Sequence, residues 1–270
     1  MTNAVQIGPL LLPLQLILVL ASVGLAFATG LWLGKRASVK VEDELWLAVL
    51  VCVLAARLAF VYEYRGLYLA SPLTILDLRD GGWNAPAGLA GGWLLAFSRW
   101  RKRPGLVVPL RAAMAAGTAL FVAGTAALVL HPVDRALPDL SFKSLDGTDV
   151  RLDSFSGKPV VINLWATWCP PCVREMPVLQ QGQRDRRDVT FVFLNQGEDP
   201  GHVKAWLQRQ GLDLENALTD PLRQASAAFK QQGYPTTLFF DRHGKQVASH
   251  IGALSTATLA QRLERITGPH

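Results

Sequence analysis

The sequence is poor in charge and in cysteine for its length. Charged residues make up 18% of the 270 residues and hydrophobic residues 50%, so the compositions of disordered and coiled-coil proteins are excluded. Three cysteines are too few for a small scaffold held together by disulfides. The length favours about two domains. These limits leave a globular or membrane-associated chain of two parts.

Long apolar runs fill the first part, 1–131, and predict a membrane domain of α-helices. Each run approaches or exceeds the roughly 20 residues that cross a bilayer. The first run has no basic residue before it and is longer than the apolar part of a signal peptide, so we expect a span rather than a cleaved leader. The four expected spans are at about 9–34, 45–62, 82–97 and 106–130.

Basic residues between the apolar runs predict the orientation of the spans. They cluster after the first run and after the third, at Lys35, Arg36, Lys40, Arg99, Arg101, Lys102 and Arg103. The positive-inside rule places these two loops in the cytoplasm. With four spans both termini face outward, so we expect a multi-pass inner-membrane protein with its last domain in the periplasm. This placement of charge favours the lipid bilayer, and not nucleic acid, as a partner.

Arg57 lies inside the second apolar run, where a charge is costly. It either lines a polar cavity, or it snorkels to the nearby interface or joins a structural pair. The sequence leaves these alternatives open.

The second part of the chain, 139–270, follows a short Pro-containing linker at 132–138 and alternates strand and helix patterns. Apolar runs at 160–164 and 190–194 predict buried strands. Helical spacing is found in 201–210, 221–232 and 256–266. Hairpin turns are predicted at Asp146-Gly147 and Arg242-His243-Gly244. The alternation predicts an α/β domain with a mixed sheet.

The motif Trp168-Cys169-Pro170-Pro171-Cys172 follows the first strand candidate and begins a helix. Two cysteines three residues apart in a first helical turn can bring their sulfurs to bonding distance, and a helix N-terminus favours the thiolate. Prolines are tolerated there because first-turn residues need no N–H bond. We therefore predict that an exposed Cys169 attacks a substrate disulfide and that a buried Cys172 resolves the mixed disulfide.

Metal and haem binding are the alternative uses of a cysteine pair. A zinc site needs a second ligand pair, but the third cysteine is Cys52 inside a predicted span and no two histidines have ligand spacing. Covalent haem attachment requires a histidine where Val173 stands. We expect no metal and no cofactor.

Three motifs surround the cysteines: Asn163-Leu164-Trp165-Ala166-Thr167-Trp168, Val173-Arg174-Glu175-Met176-Pro177 and Gly233-Tyr234-Pro235-Thr236-Thr237. With them, the stretch from Leu137 to about Gly268 resembles the thioredoxin-like thiol-disulfide oxidoreductases, in particular the membrane-tethered TlpA and cytochrome-maturation branch. The resemblance implies a thioredoxin-like fold in which Pro235 is cis and Tyr234 lies beside Cys169. Trp168, Tyr234 and Pro235 are then the expected substrate-binding residues.

Asn163 and Glu175 qualify the mechanism that this resemblance implies. Asn163 stands where thioredoxins carry a buried aspartate that takes a proton from the resolving cysteine. Glu175 matches an acid that the maturation branch places near the active-site helix, which makes it the expected catalytic partner of Cys172. Two interpretations stay open for Glu175: a partly buried carboxyl that relays protons, or a solvated glutamate that stabilises the helix end.

Segments of the first half carry a second resemblance. Residues 7–9, 56–61, 71–73 and 80–91 resemble prolipoprotein diacylglyceryl transferase, an integral membrane enzyme with an outward N-terminus, and the likeness covers about 5–105. Pro86 stands where that family's His-Gly-Gly-Leu motif requires histidine. We therefore expect a truncated, repurposed anchor without diacylglyceryl transferase activity.

Together these features predict a membrane-anchored periplasmic enzyme that reduces or isomerises disulfides of exported proteins through Cys169 and Cys172. The alternatives are a thiol oxidant that introduces disulfides and a lipoprotein-processing accessory that keeps lipobox cysteines reduced. Cys52 is the single cysteine in the predicted spans, and one cysteine cannot form an internal disulfide. We expect the anchor to carry no electrons and a separate membrane reductase or small-molecule thiol to recharge the pair.

Overall fold

The computed structural model describes residues 4–7, 10–70, 72–76, 80–130, 135–231 and 233–267. The chain separates into two compact units: a helical unit, 3–75 with 82–132, and a sheet unit built mainly from 133–270. The first three residues of the predicted linker, 132–134, and the predicted start of the first span at Pro9 lie outside the described residues. The predicted domain limits therefore stay a prediction.

The described part of the helical unit begins with a hairpin and continues with five α-helices. Strand β1 (Ala4–Ile7) pairs antiparallel with β2 (Leu10–Pro13). The helices are α1 (Leu14–Arg36), α2 (Glu42–Glu63), α3 (Arg65–Ala70), α4 (Ala85–Lys102) and α5 (Val107–Leu130). Helix α1 begins at Leu14, later than the predicted start of the first span at about residue 9. Leu10–Pro13 is a strand, and Pro13 has the extended backbone that precedes a helix.

Among the described residues, three helices are long and apolar enough to cross a membrane: Leu14–Arg36, Glu42–Glu63 and Pro104–Leu130, the last being α5 with the short turn before it. The predicted third span corresponds to α4, which has 18 residues and ends in Arg99, Arg101 and Lys102. The predicted count of four spans is therefore not confirmed.

Helices α2 and α4 approach each other closely through glycines. A Cβ atom on Gly88 would lie 2.7 Å from the carbonyl oxygen of Cys52 and 2.9 Å from the Cβ of Ala56. A Cβ on Gly92 would lie 2.3 Å from the sulfur of Cys52. The lack of a Cβ atom at Gly88 and Gly92 thus lets the backbones of α2 and α4 come together.

Arg57 serves a structural role inside the helical unit. Its side chain is buried, and its guanidinium donates to the carbonyl oxygens of Gly82 and Ile75 at 2.9 Å each. A third bond of 3.3 Å goes to the carbonyl of Thr74. Of the predicted alternatives, this arrangement agrees with structural pairing, since the partners are backbone carbonyls of the loop before α4.

At the other end of α2, Glu44 forms ion pairs with two basic residues at the end of α4. Its carboxylate lies 3.2 Å from Nε of Arg99 and 3.4 Å from Nη1 of Arg103. Glu44 itself is buried. The start of α2 and the end of α4 therefore lie at the same end of the helical unit, and the two helices run antiparallel.

The sheet unit contains one seven-stranded mixed sheet. Its strands are β3 (Ser141–Ser144), β4 (Asp149–Arg151), β5 (Val160–Trp165), β6 (Thr190–Gln196), β7 (Ala217–Asp220), β8 (Thr236–Phe240) and β9 (Gln246–Ile251). The spatial order is β4-β3-β7-β6-β5-β8-β9. Strands β5, β6 and β7 are parallel neighbours, and the other pairs are antiparallel. Both predicted hairpins and the mixed sheet are confirmed.

Within 135–231 and 233–267, the α-helices that accompany this sheet are α6 (Pro170–Asp185), α7 (Pro200–Gln210), α8 (Gln224–Ala228) and α9 (Thr256–Thr267). Alternate residues of β5 enter different cores, as a period of two requires. Val161 and Trp165 pack with the core that contains Cys172, whereas Ile162 belongs to the opposite core with Ala225 of α8. Asn163 consequently faces the side of the sheet that carries α6.

The predicted helix at 221–232 is wrong in length, and β7 before it was not predicted. Asp220 ends β7, and its carboxylate accepts bonds of 2.9 and 2.8 Å from the backbone N–H groups of Gln224 and Ala225. This caps a helix that extends only to Ala228. Lys230 has a positive φ of 52°, a conformation that cannot continue an α-helix.

Candidate active site

The two cysteines of the motif lie where the parallel strand β5 leads into α6. The chain turns after Trp165, with the N–H of Cys169 bonded to the carbonyl of Ala166 at 3.3 Å. Cys169 is the N-cap of α6, and its sulfur accepts the N–H of Cys172 at 3.3 Å. The two cysteines form a disulfide. The prediction that this spacing brings the two sulfurs to bonding distance is therefore confirmed, because both cysteines lie within one helical turn.

The exposure of Cys169 differs from the prediction. Its residue surface is 4% exposed in the disulfide form, and that of Cys172 is fully buried. The expected exposed nucleophile is therefore covered, whereas the neighbouring Trp168 is 58% exposed.

Glu175 lies one turn beyond Cys172 on α6 and is only 1% exposed. The interpretation as a solvated glutamate is therefore wrong. Its Oε1 accepts a 2.8 Å bond from Nδ2 of Asn163, and its Oε2 accepts a 2.9 Å bond from the N–H of Leu254. Burial raises the pKa of Glu175 to about 7, against the lowering effect of these two donors. The carboxyl can therefore gain or lose a proton near neutral pH.

Asn163 links Glu175 to the sheet. It stands opposite Thr237 in the antiparallel pairing of β5 with β8, and its Nδ2 also donates to Oγ1 of Thr237 at 3.0 Å. The Oδ1 atom of Asn163 is buried without a hydrogen-bond partner. Asn163, Thr237 and Glu175 thus form a small polar network on the α6 side of the sheet.

Tyr234 and Pro235 come to the same end of α6, as the resemblance implies. The Tyr234–Pro235 peptide bond is cis. The ring of Tyr234 meets that of Trp168 edge to face, with 6.1 Å between centroids. Its hydroxyl lies 2.8 Å from Oγ of Ser226, which in turn donates to Gln196 at 2.7 Å. The structure therefore brings the predicted substrate-binding residues together.

Glu198 is a contact residue of this region that the sequence analysis did not predict. Its Oε2 accepts a 2.7 Å bond from the N–H of Thr167, and its Oε1 accepts the hydroxyl of Thr167. Thr167 belongs to the turn that leads to Cys169. One feature of the sequence indicates this contact. Strands β5 and β6 are both predicted, and the ends of parallel neighbouring strands, which Thr167 and Glu198 follow here, meet at one edge of a sheet.

Three comparisons with known proteins each match about half of the chain. The Redoxin family matches residues 132–263. The thiol-disulfide oxidoreductase ResA of Geobacillus thermodenitrificans is 32% identical over 136 residues, which are 50% of this chain and 78% of that protein. The thioredoxin-like protein YneN of Bacillus subtilis is 30% identical over 131 residues, 47% of this chain and 76% of that protein. A solved structure of MTB dsbF in mixed oxidized and reduced forms is 28% identical, covers 50% of this chain and 100% of its own, and has a TM-score of 0.45.

Proposed function

This chain belongs to the thioredoxin-like thiol-disulfide oxidoreductases, and from that premise we propose that it is a membrane-anchored periplasmic enzyme that reduces or isomerises disulfides of exported proteins. The observation that supports this proposal best is the Cys169–Cys172 disulfide at the start of α6. Trp168 directly precedes Cys169, and its ring meets that of Tyr234, so the two rings offer an aromatic surface for an extended substrate segment.

The exchange uses two successive attacks by thiolates. The Cys169 thiolate attacks one sulfur of a substrate disulfide, which forms a mixed disulfide and releases the first substrate thiolate. The Cys172 thiolate then attacks the sulfur of Cys169, which releases the second substrate thiolate and forms the Cys169–Cys172 disulfide. The substrate gains two electrons and the cysteine pair loses two. A separate thiol or membrane dithiol returns these electrons.

Glu175 is the proposed proton acceptor for Cys172. The two residues are three positions apart on α6, a spacing that places side chains on one helical face, and both are at most 1% exposed. A carboxyl with a pKa of about 7 can take the Cys172 proton as the mixed disulfide is resolved. Exchange of Glu175 for Gln is expected to slow that resolution by at least about tenfold at pH 8. Unchanged resolution rates and thiol pKa values would remove Glu175 from the mechanism.

The proposed placement needs α4 to be a fourth span. Two observations support it: Gly88 contacts α2 beside Ala56, and Arg99 pairs with Glu44 at the start of α2. Helix α4 thus follows α2 over most of its length in the opposite direction. We treat the helical unit, including the stretch with the diacylglyceryl transferase resemblance, as an anchor.

Protease added to intact spheroplasts tests this orientation. We expect the sheet unit to be degraded while the loop that contains Lys35 and Arg36 is protected. A sheet unit protected from the protease would reject the periplasmic placement. Without α4 as a fourth span, three spans that start from an outward N-terminus would put the sheet unit in the cytoplasm.

The activity itself is tested with the full-length protein in detergent. Wild type should accelerate the reduction of insulin by dithiothreitol, and Cys169→Ser should not. A Cys172→Ala variant should accumulate mixed disulfides with exported proteins in cells, because the resolving thiol is missing. A reduction potential near that of thioredoxin, about −270 mV, indicates a reductant, whereas about −120 mV indicates an oxidant. Lack of activity together with a lack of trapped partners would reject the proposal.

A further inference from the structure

We propose that Glu198 is a positioning residue for thiol-disulfide exchange, because its carboxylate holds the turn that carries Cys169. This inference rests on the proposed function of the cysteine pair. Glu198 follows β6, whereas Cys169 follows β5, and the two strands are parallel neighbours. The loop after one strand therefore supports the loop after the next.

The contacts of Glu198 are concentrated on one residue. Both carboxylate oxygens accept hydrogen bonds from Thr167, one from its N–H at 2.7 Å and one from its hydroxyl. Nδ2 of Asn195 donates to the same oxygen as the Thr167 N–H, also at 2.7 Å. The Glu198 side chain is 11% exposed. Three donors in a mostly buried place make this a strong attachment.

His202 extends the cluster toward solvent. Its Nε2 lies 3.2 Å from the Thr167 hydroxyl and 3.7 Å from Glu198. The imidazole is half exposed. It therefore covers the contact between Glu198 and Thr167 from solvent and replaces none of the hydrogen bonds between them.

Capping of the next helix does not explain the position of Glu198. The N-cap of α7 is Asp199, whose carboxylate accepts the N–H groups of Gly201 at 2.8 Å and of His202 at 3.2 Å. The neighbouring carboxylate of Glu198 instead accepts hydrogen bonds from Thr167, in the turn before α6. Gly197, with a φ of +81°, provides the reversal of the chain between β6 and Glu198.

The turn that Glu198 holds determines where the sulfur of Cys169 lies. The N–H of Cys169 bonds to Ala166 across Thr167, and the sulfur of Cys169 accepts the N–H of Cys172. The N–H of Cys172 and the N-terminus of α6 stabilise a thiolate at this position. A looser turn moves the sulfur away from these groups, which raises the pKa of Cys169 and slows its reaction at neutral pH.

Whether removal of the Glu198 carboxylate speeds or slows the reaction of Cys169 shows whether Glu198 acts through its charge or through its position. If Glu198 acted through its negative charge, its removal would lower the pKa of Cys169 and speed the reaction. If it acts by position, Glu198→Ala slows the reaction. In Glu198→Gln the amide oxygen can still accept the Thr167 N–H, and the amide NH₂ can donate to the Thr167 hydroxyl, so most of the geometry is recovered.

The test measures alkylation of Cys169 by iodoacetamide against pH in the full-length protein. A Cys172→Ala background leaves Cys169 as the single thiol of its tryptic peptide, and mass spectrometry separates this peptide from that of Cys52. We expect Glu198→Ala to slow alkylation at pH 7 roughly fivefold and to move the midpoint of the pH profile upward. Glu198→Gln should recover most of the rate.

Thr167 supplies a second, independent pair of variants if Glu198→Ala does not fold. Thr167→Val loses the hydroxyl bond and should shift the profile in the same direction, whereas Thr167→Ser keeps the hydroxyl and should shift it less. The matched control is Glu215→Ala, which removes a carboxylate from the exposed ion pair with Arg187 and should leave the profile in place.

Faster alkylation in any of the Glu198 or Thr167 variants overturns the proposal, as does an unchanged profile in Glu198→Ala and Thr167→Val. Equal slowing in Glu198→Ala and Glu198→Gln also contradicts it, because the amide then fails to replace the geometry. Alkylation needs no protein substrate. An inactive wild type would therefore reject the proposed function while these profiles still report on Glu198.

Discussion

Asn163 on β5 and Glu175 on α6 are joined by a 2.8 Å hydrogen bond inside the core of the sheet unit. The bond favours the ionised carboxylate, whereas burial favours the neutral acid, and burial is the larger effect. The result is a pKa of about 7. A residue with such a value changes its charge at the pH at which thiols begin to react.

The first prediction concerns stability and Glu175. Its native pKa of about 7 lies above the ordinary 4.5, so its contribution to stability is fully present below pH 4.5 and is lost as pH rises through 7. The loss amounts to about 3 kcal/mol. Glu175→Gln cannot ionise, so its thermal midpoint should rise relative to wild type between pH 5 and pH 8.

Differential scanning fluorimetry of the oxidised full-length proteins measures this difference. Glu215→Gln, a change in an exposed ion pair, serves as the control and should follow wild type. If the thermal midpoints of wild type and Glu175→Gln changed with pH in parallel, Glu175 would not carry a raised pKa.

The second prediction concerns His250 on β9, whose contribution to stability falls as the pH falls, opposite to that of Glu175. Burial lowers the pKa of His250 to about 4 from 6.5, and the positive charge of Arg262 adds to this effect. The unfolded chain gains the proton first as pH falls. The contribution to stability is therefore present above pH 6.5 and is lost toward pH 4, by about 3 kcal/mol.

His250→Gln should consequently lose less stability than wild type between pH 6.5 and pH 4.5. The exposed His243 is the matched control, and His243→Gln should show the wild-type slope. The same fluorimetric scan gives both results, and identical slopes for all three proteins would contradict the prediction.

The third prediction concerns the contact between α2 and α4. A methyl group on Gly88 would meet the backbone oxygen of Cys52 at 2.7 Å, and backbone cannot rotate away as a side chain can. Gly88→Ala should therefore destabilise the helical unit by about 1–3 kcal/mol. Gly24 on α1 has nothing within 4 Å of an added Cβ, so Gly24→Ala is the matched control and should be neutral or slightly stabilising.

Thermal aggregation of the two variants in the same detergent compares them directly. Equal midpoints for Gly88→Ala and Gly24→Ala would show that α2 and α4 do not pack closely.

The fourth prediction concerns Cys52, the free cysteine of the described residues. It lies on α2 and packs against Gly92, so its role is that of a small packing group. Cys52→Ser should keep the steady-state rate of insulin reduction and the in-cell redox state of the Cys169–Cys172 pair. Loss of recharging in this variant would show that electrons do pass through the anchor.

The sequence alone determined that Cys169 and Cys172 can form a disulfide, because their spacing and the helix that begins at Pro170 are local properties. It also determined the hairpins and β5, since period and turn residues act over short distances. It could not establish that Cys169 is covered, that Asn163 reaches Glu175 or that Glu198 holds Thr167. These contacts join residues 12 to 31 positions apart. They exist only after β5 has paired with β6 and α6 has packed on the sheet, so tertiary structure decided them.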